Sequence, residues 1–159
     1  MITIYFETGE VLDFPLDSLA GSVFCELELH RAIFDNMDVS GADFTNSNLR
    51  NASFNHSILT GVVMHGAALM NATLACAQLR TADLSGAIAI GADFTEADLS
   101  FSGLKNVDVY GASFVRANLC DANVDVKRIE SAFFSGAIYN DGTIWPENFD
   151  PEMVGAIKV

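Results

Sequence analysis

The stretch Ala92-Asp93-Phe94-Thr95-Glu96-Ala97-Asp98-Leu99 sets down a small residue, an acid and a large apolar residue, then repeats the trio five positions on. Stepping by five in both directions extends the pattern from Phe24 to Phe134, and all 23 large positions are apolar. In a chain that is 50% apolar, chance would give this about once in ten million tries, so the period is real. The residue two before each large one is Ala or Ser in 18 of 23 repeats, the exceptions being Leu27, Met37, Val62, Val107 and Lys127. The residue two after it is Gly or Asn in 12 of 23, as a corner at positive φ would favour. A period of five suits neither an amphipathic helix nor a half-buried strand. It suits a chain that turns a corner every five residues, with the large and small residues inward and the rest facing solvent.

A second spacing lies above the first. Every fourth large residue gives Phe34, Phe54, Leu74, Phe94, Phe114 and Phe134, each preceded two residues earlier by Ala. Another set is Val39, Leu59, Leu79, Leu99 and Leu119. Like stacks on like at 20 residues, which predicts four repeats per coil and in-register parallel coils. The 23 repeats make almost six coils, a body roughly 28 Å long at about 4.8 Å per coil.

The runs Ala42-Asp43-Phe44, Ala82-Asp83-Leu84, Ala92-Asp93-Phe94, Ala97-Asp98-Leu99 and Ala117-Asn118-Leu119 resemble the motif of the pentapeptide-repeat family. The resemblance covers about residues 19–139 and implies an all-β solenoid, the right-handed quadrilateral β-helix of that family. The handedness comes from the resemblance alone. Residues 1–18 break the register. Ile2, Ile4 and Phe6 alternate, Thr8-Gly9 offers a turn, and Val11, Leu12 and Phe14 follow, which predicts a hairpin cap. Packing against it would accommodate the oversized Leu27 and Met37. Residues 140–159 form a second cap, with Asp150-Pro151 opening a short helical turn, Gly155 ending it, and Trp145, Phe149 and Met153 over the last coil. This tail also resembles a C-terminal segment found on many members of the family.

The formal net charge is −13, which repels nucleic acid phosphates and anionic lipid, so direct nucleic-acid or membrane binding is not expected. The start lacks the basic segment of an export signal and no apolar run approaches a membrane span, so the expected location is the cytoplasm. Cys25, Cys76 and Cys120 form no CxxC pair and are expected to be free thiols. His30, His56 and His65 fall on different sides of the coil, and the repeat brings no nucleophile and base together. An enzyme, a metal site and a cofactor are therefore not expected.

One outward strip departs from the polar pattern. Met70, Ile88, Ile90 and Tyr110 occupy one side of three consecutive coils with Ala68, flanked by Arg50 and Asp108. Contiguous apolar surface on a polar rod marks a protein-contact or self-association site, including a homodimer. Two functions stand at this stage. One is a structural or interaction module with a protein partner. The other, implied by the quinolone-resistance branch of the family, is an acidic DNA mimic that inhibits or protects gyrase. Charge location favours the first. Residues 1–23 hold four acids and no base, residues 141–159 four acids and one base, and the coils between 13 acids and seven bases.

Overall fold

The computed structural model describes residues 1–159, and parallel bridges between residues 20 apart hold its chain together. Of 21 such bridges, 19 have that spacing. They form four columns that begin at Val23↔Asp43, Glu28↔Asn48, Ile33↔Ser53 and Asp38↔Ile58. The hydrogen bonds are those of a parallel ladder: Phe44 donates its N–H to the Val63 carbonyl at 2.7 Å, and Val63 donates to Ala42 at 2.9 Å. The chain is an all-β solenoid in which each side of a coil contributes only a bridge.

Burial follows the same period. Every large position from Phe24 to Val124 is fully buried, as are Ala32, Ala42, Ala67 and Ala112 among the small ones. Stacked rings follow the predicted Phe/Ala side: Phe34–Phe54 at 4.7 Å, Phe94–Phe114 at 5.0 Å and Phe114–Phe134 at 5.1 Å, all within 5° of parallel. Leu74 interrupts the ladder. A second stack, Phe24–Phe44 at 4.8 Å, meets the first edge-on. The one cavity, about 220 Å³, lies outside this core, between the N-terminal hairpin and the first coil beside Ile2, Leu19 and Met37.

The corners demand more of the chain than its glycines suggest. Every fifth residue from Glu26 to Asp121 has φ between +54° and +68°, including Thr81 and Phe101. A left-handed non-glycine residue costs roughly 1–2 kcal/mol. The ladder around it offsets that cost: Thr81 donates to the Ser100 carbonyl at 3.0 Å and Ala82 closes the turn onto Leu79 at 3.0 Å.

The five-residue period, unbroken in sequence, is broken in structure at 125–131. Val126 is buried where a corner residue belongs, the left-handed corner moves to Arg128, and a 3-10 turn follows at Ile129–Ser131. Lys127, not Arg128, bridges Asp108. An apolar residue at the corner position and a Lys at a small inward position force this rearrangement, because Lys127 cannot enter the core. Phe133 regains the 20-residue register with Ser113.

At the N-terminus, β1 (Ile2–Phe6) and β2 (Val11–Phe14) form the expected hairpin, and β1 pairs antiparallel with β3 (Ala32–Ile33) of the first coil. Phe14 meets Phe24 edge-on at 5.3 Å. Met37 packs against the core, but Leu27 remains 37% exposed, contrary to expectation, because the hairpin attaches to the neighbouring side. At the other end Asp150 accepts the Glu152 N–H at 3.1 Å, a 3-10 turn runs Glu152–Val154, and Gly155 ends it at φ +85°. β4 (Ile138–Tyr139) then pairs in parallel with β5 (Ile157–Lys158). Trp145 and Phe149 cover Phe134, whereas Met153 is 83% exposed and covers nothing. The single turn points that side chain away from the last coil.

Candidate interaction surface

The second bridge column, Glu28↔Asn48↔Ala68↔Ile88↔Asp108↔Lys127, aligns the outward strip. The buried Leu69, Ala89 and Val109 anchor its three coils, so the flanking residues must point out. Ile88 is 39% exposed and Tyr110 50%, while Met70, Ile90 and Ala68 are half-buried. All four predicted residues therefore lie together on one surface. Sequence reading missed Arg128. Released by the register shift, it lies 4.7 Å from the Tyr110 ring centre, donates from Nε to Asp108 at 2.7 Å, and pairs with the second carboxylate oxygen through its terminal nitrogen. The hydrogen bonds from Arg128 hold the Asp108 carboxyl below the usual carboxylate range. Arg50, on the coil before Met70, has no carboxylate partner.

Many acids of the coils serve the backbone. The residue before each large one is often Asp or Asn, and its side chain accepts the N–H two residues on. Asp38, Asp43, Asp83, Asp93, Asp98 and Asp108 all do this, at 2.9–3.4 Å. Asn48, Asn118 and Asn123 do the same without charge. The motif's Asp/Asn choice is thus a turn device. Hydrogen bonding from Thr45, through its hydroxyl and its N–H, lowers the Asp43 carboxyl pKa. A carboxyl depressed on folding stabilises above its unfolded pKa and loses that contribution as pH falls through the folded value. Asp43→Ala is expected to cost on the order of 1 kcal/mol at pH 7. The gap from wild type should hold down to about pH 4 and narrow only below it, as pH falls through the depressed folded value, while Asp43→Asn stays near wild type throughout. Melting curves from pH 7 down through the acid range check this; a gap that never narrows would refute the turn role.

The other candidate groups stay apart. His65 bonds Ser85 at 2.9 Å on one side, His30 bonds Asn51 at 3.2 Å on another, and His56 is exposed at a corner. The three cysteines are free thiols. Burial raises the thiol pKa of Cys76 and Cys120, and hydrogen bonding with Asp43 raises that of Cys25, so none is a ready thiolate. No group of His, Cys, Asp and Glu has metal-ligand geometry. No helix is long and apolar enough to cross a membrane.

With this geometry in hand, the chain matches a family model described as pentapeptide repeats, in eight copies, over residues 38–74, 47–86 and 77–114. No curated protein matches it in sequence. Among solved structures it is similar to a pentapeptide repeat protein of the Arabidopsis thaliana thylakoid lumen, at 25% identity and TM-score 0.46. That alignment covers 66% of each chain, so this chain spans just under two thirds of that protein. A pentapeptide repeat protein from Nostoc is 29% identical over 77% of this chain and 84% of that one, with TM-score 0.34. A trypsin-treated variant of QnrB1, a plasmid-mediated fluoroquinolone resistance protein, is 17% identical over 93% of this chain and 86% of that one. Its TM-score of 0.51 supports a shared fold and nothing finer.

Proposed function

Because the chain belongs to the pentapeptide-repeat family, we propose that it acts as a non-enzymatic interaction module whose face bearing Met70, Ile88, Ile90 and Tyr110 receives a protein partner. The observation that carries this reading is the strip itself: apolar side chains from three consecutive coils, Ile88 and Tyr110 exposed and Met70 and Ile90 half-buried, backed by a filled core. The finer architecture belongs to the same reading. The body at 19–139 is a right-handed four-sided β-helix of almost six coils, with a hairpin cap at 1–18 and a second cap at 140–159. The pairing of β1 with β3 and of β4 with β5 supports both caps. The reading includes a cytoplasmic location, which suits three free cysteines.

Acid placement argues against DNA mimicry. Six coil aspartates are engaged by their own turns, and three turns use Asn for the same purpose, so these columns do not require charge. A mimic of a phosphate backbone needs regularly spaced charge along the rod.

The test is capture from source-cell lysate by native protein and by Ile90→Asp. Ile90 lies outside the core, so the variant is expected to fold with an unchanged circular dichroism spectrum and melting point. A protein retained by the native chain should be depleted about tenfold or more on the variant, the scale of a lost interface anchor. Identical captured sets and an identical oligomeric state would refute the proposal.

A further inference from the structure

The charge around the strip is unlike that of the rest of the molecule. The side of the rod made of residues 28–31, 48–51, 68–71, 88–91, 108–111 and 127–131 carries Arg31, Arg50, Lys127 and Arg128 against Glu28, Asp108 and Glu130. Four of the chain's eight bases lie here, with three of its 21 acids. All other surfaces together hold four bases and 18 acids. The apolar strip therefore sits on the one side that is not acidic. Each end offers an unpaired cation: Arg50 lies below Met70, and Lys127 lies beside Arg128, whose own charge is taken by Asp108 while it covers the Tyr110 ring.

The spacing sets the shape of what fits. Outward residues of one column repeat once per coil, about 4.8 Å apart. Residues three and four apart on a helix surface lie about 5–6 Å apart, close to the same step. Met70, Ile90 and Tyr110 thus offer three apolar contacts in the rhythm of a helix's i, i+4, i+7 face. A helix of roughly ten residues, about 15 Å long, spans from Arg50 to Tyr110.

Resting on the proposed function, we infer that the partner presents an acidic amphipathic helix laid along the rod. Its apolar stripe faces Met70, Ile90 and Tyr110, and its carboxylates reach Arg50 at one end and Lys127 at the other. A second copy of this chain is a poorer occupant, because its net charge of −13 is repelled by the first and it has no helix of that length.

The global charge and the local surface predict opposite binders, and this makes the inference testable. The intact protein is panned against a displayed library of amphipathic helices of about 14 residues, with apolar positions fixed at i, i+4 and i+7 and the remainder drawn from Glu, Lys, Ser and Ala. The expected winners are Glu-rich, weaken with added salt, and lose about tenfold in affinity on either Ile90→Asp or Arg50→Glu. Lys-rich winners lost on Ile90→Asp would leave the strip as a contact site and overturn the acidic partner. Winners indifferent to Ile90→Asp, or no winners, would overturn this inference, and indifference would remove the proposed face as well.

Discussion

Phe114→Ala is expected to lose about 3–5 kcal/mol of folding stability. Its ring is fully buried and lies between Phe94 at 5.0 Å and Phe134 at 5.1 Å, nearly parallel to both. Removing it leaves a cavity in a narrow coil and ends two stacking contacts at once. The backbone cannot collapse into the gap, because Phe114 is tied by its N–H to the Phe133 carbonyl at 2.7 Å and Ser113 to the Ala92 carbonyl at 2.9 Å. Melting followed by circular dichroism should show the midpoint falling by roughly 10 °C, at about 2–4 °C per kcal/mol for a domain of this size. Phe114→Leu should cost far less, because Leu74 already fills the equivalent position two coils away. Equal losses for Ala and Leu would show that refilling the volume recovers nothing and that the stacked ring alone carries the effect.

The same ladder shows why so much of the fold is legible in the sequence. Each coil contacts only its neighbours, so one inward pattern is written again every 20 residues and reads directly as packing. Legibility fails where a residue satisfies the pattern for the wrong reason. Val126 and Ile129 keep apolar character, yet Val126 turns inward at a corner and the register slips by one. That slip exchanges Lys127 for Arg128 against Asp108 and delivers Arg128 onto Tyr110, a contact that five-residue counting cannot supply. Thr81 and Phe101 hide their corners for the opposite reason: the ladder imposes a conformation that their own preferences oppose. The Met70, Ile88, Ile90 and Tyr110 strip was legible because it lies in three regular coils. Its cationic ends were not, because one of them depends on the irregular coil.

The C-terminal segment supplies the second large effect. Trp145→Ala is expected to cost about 3 kcal/mol, toward the lower end for a large aromatic because the side chain is only partly buried. The indole meets Phe134 at 5.5 Å and Tyr139 at 5.6 Å edge-on and lies 5.4 Å from Phe149, so it joins the last ring of the ladder to the tail. Its N–H is buried and no protein acceptor reaches it, so the indole works here as a ring and not as a donor. Trp145→Phe keeps a ring against Phe134 and gives up no protein hydrogen bond, and it should cost about 1 kcal/mol or less. The two variants thus separate apolar covering of the last coil from any hydrogen-bonding role. Melting points give the size of each effect, and limited proteolysis gives its place. In the alanine variant the segment after Tyr139 should be cleaved first, since β5 is held to β4 by only two paired residues, Ile157 and Lys158. If phenylalanine is as damaging as alanine, the ring contacts are not what binds this segment to the rod.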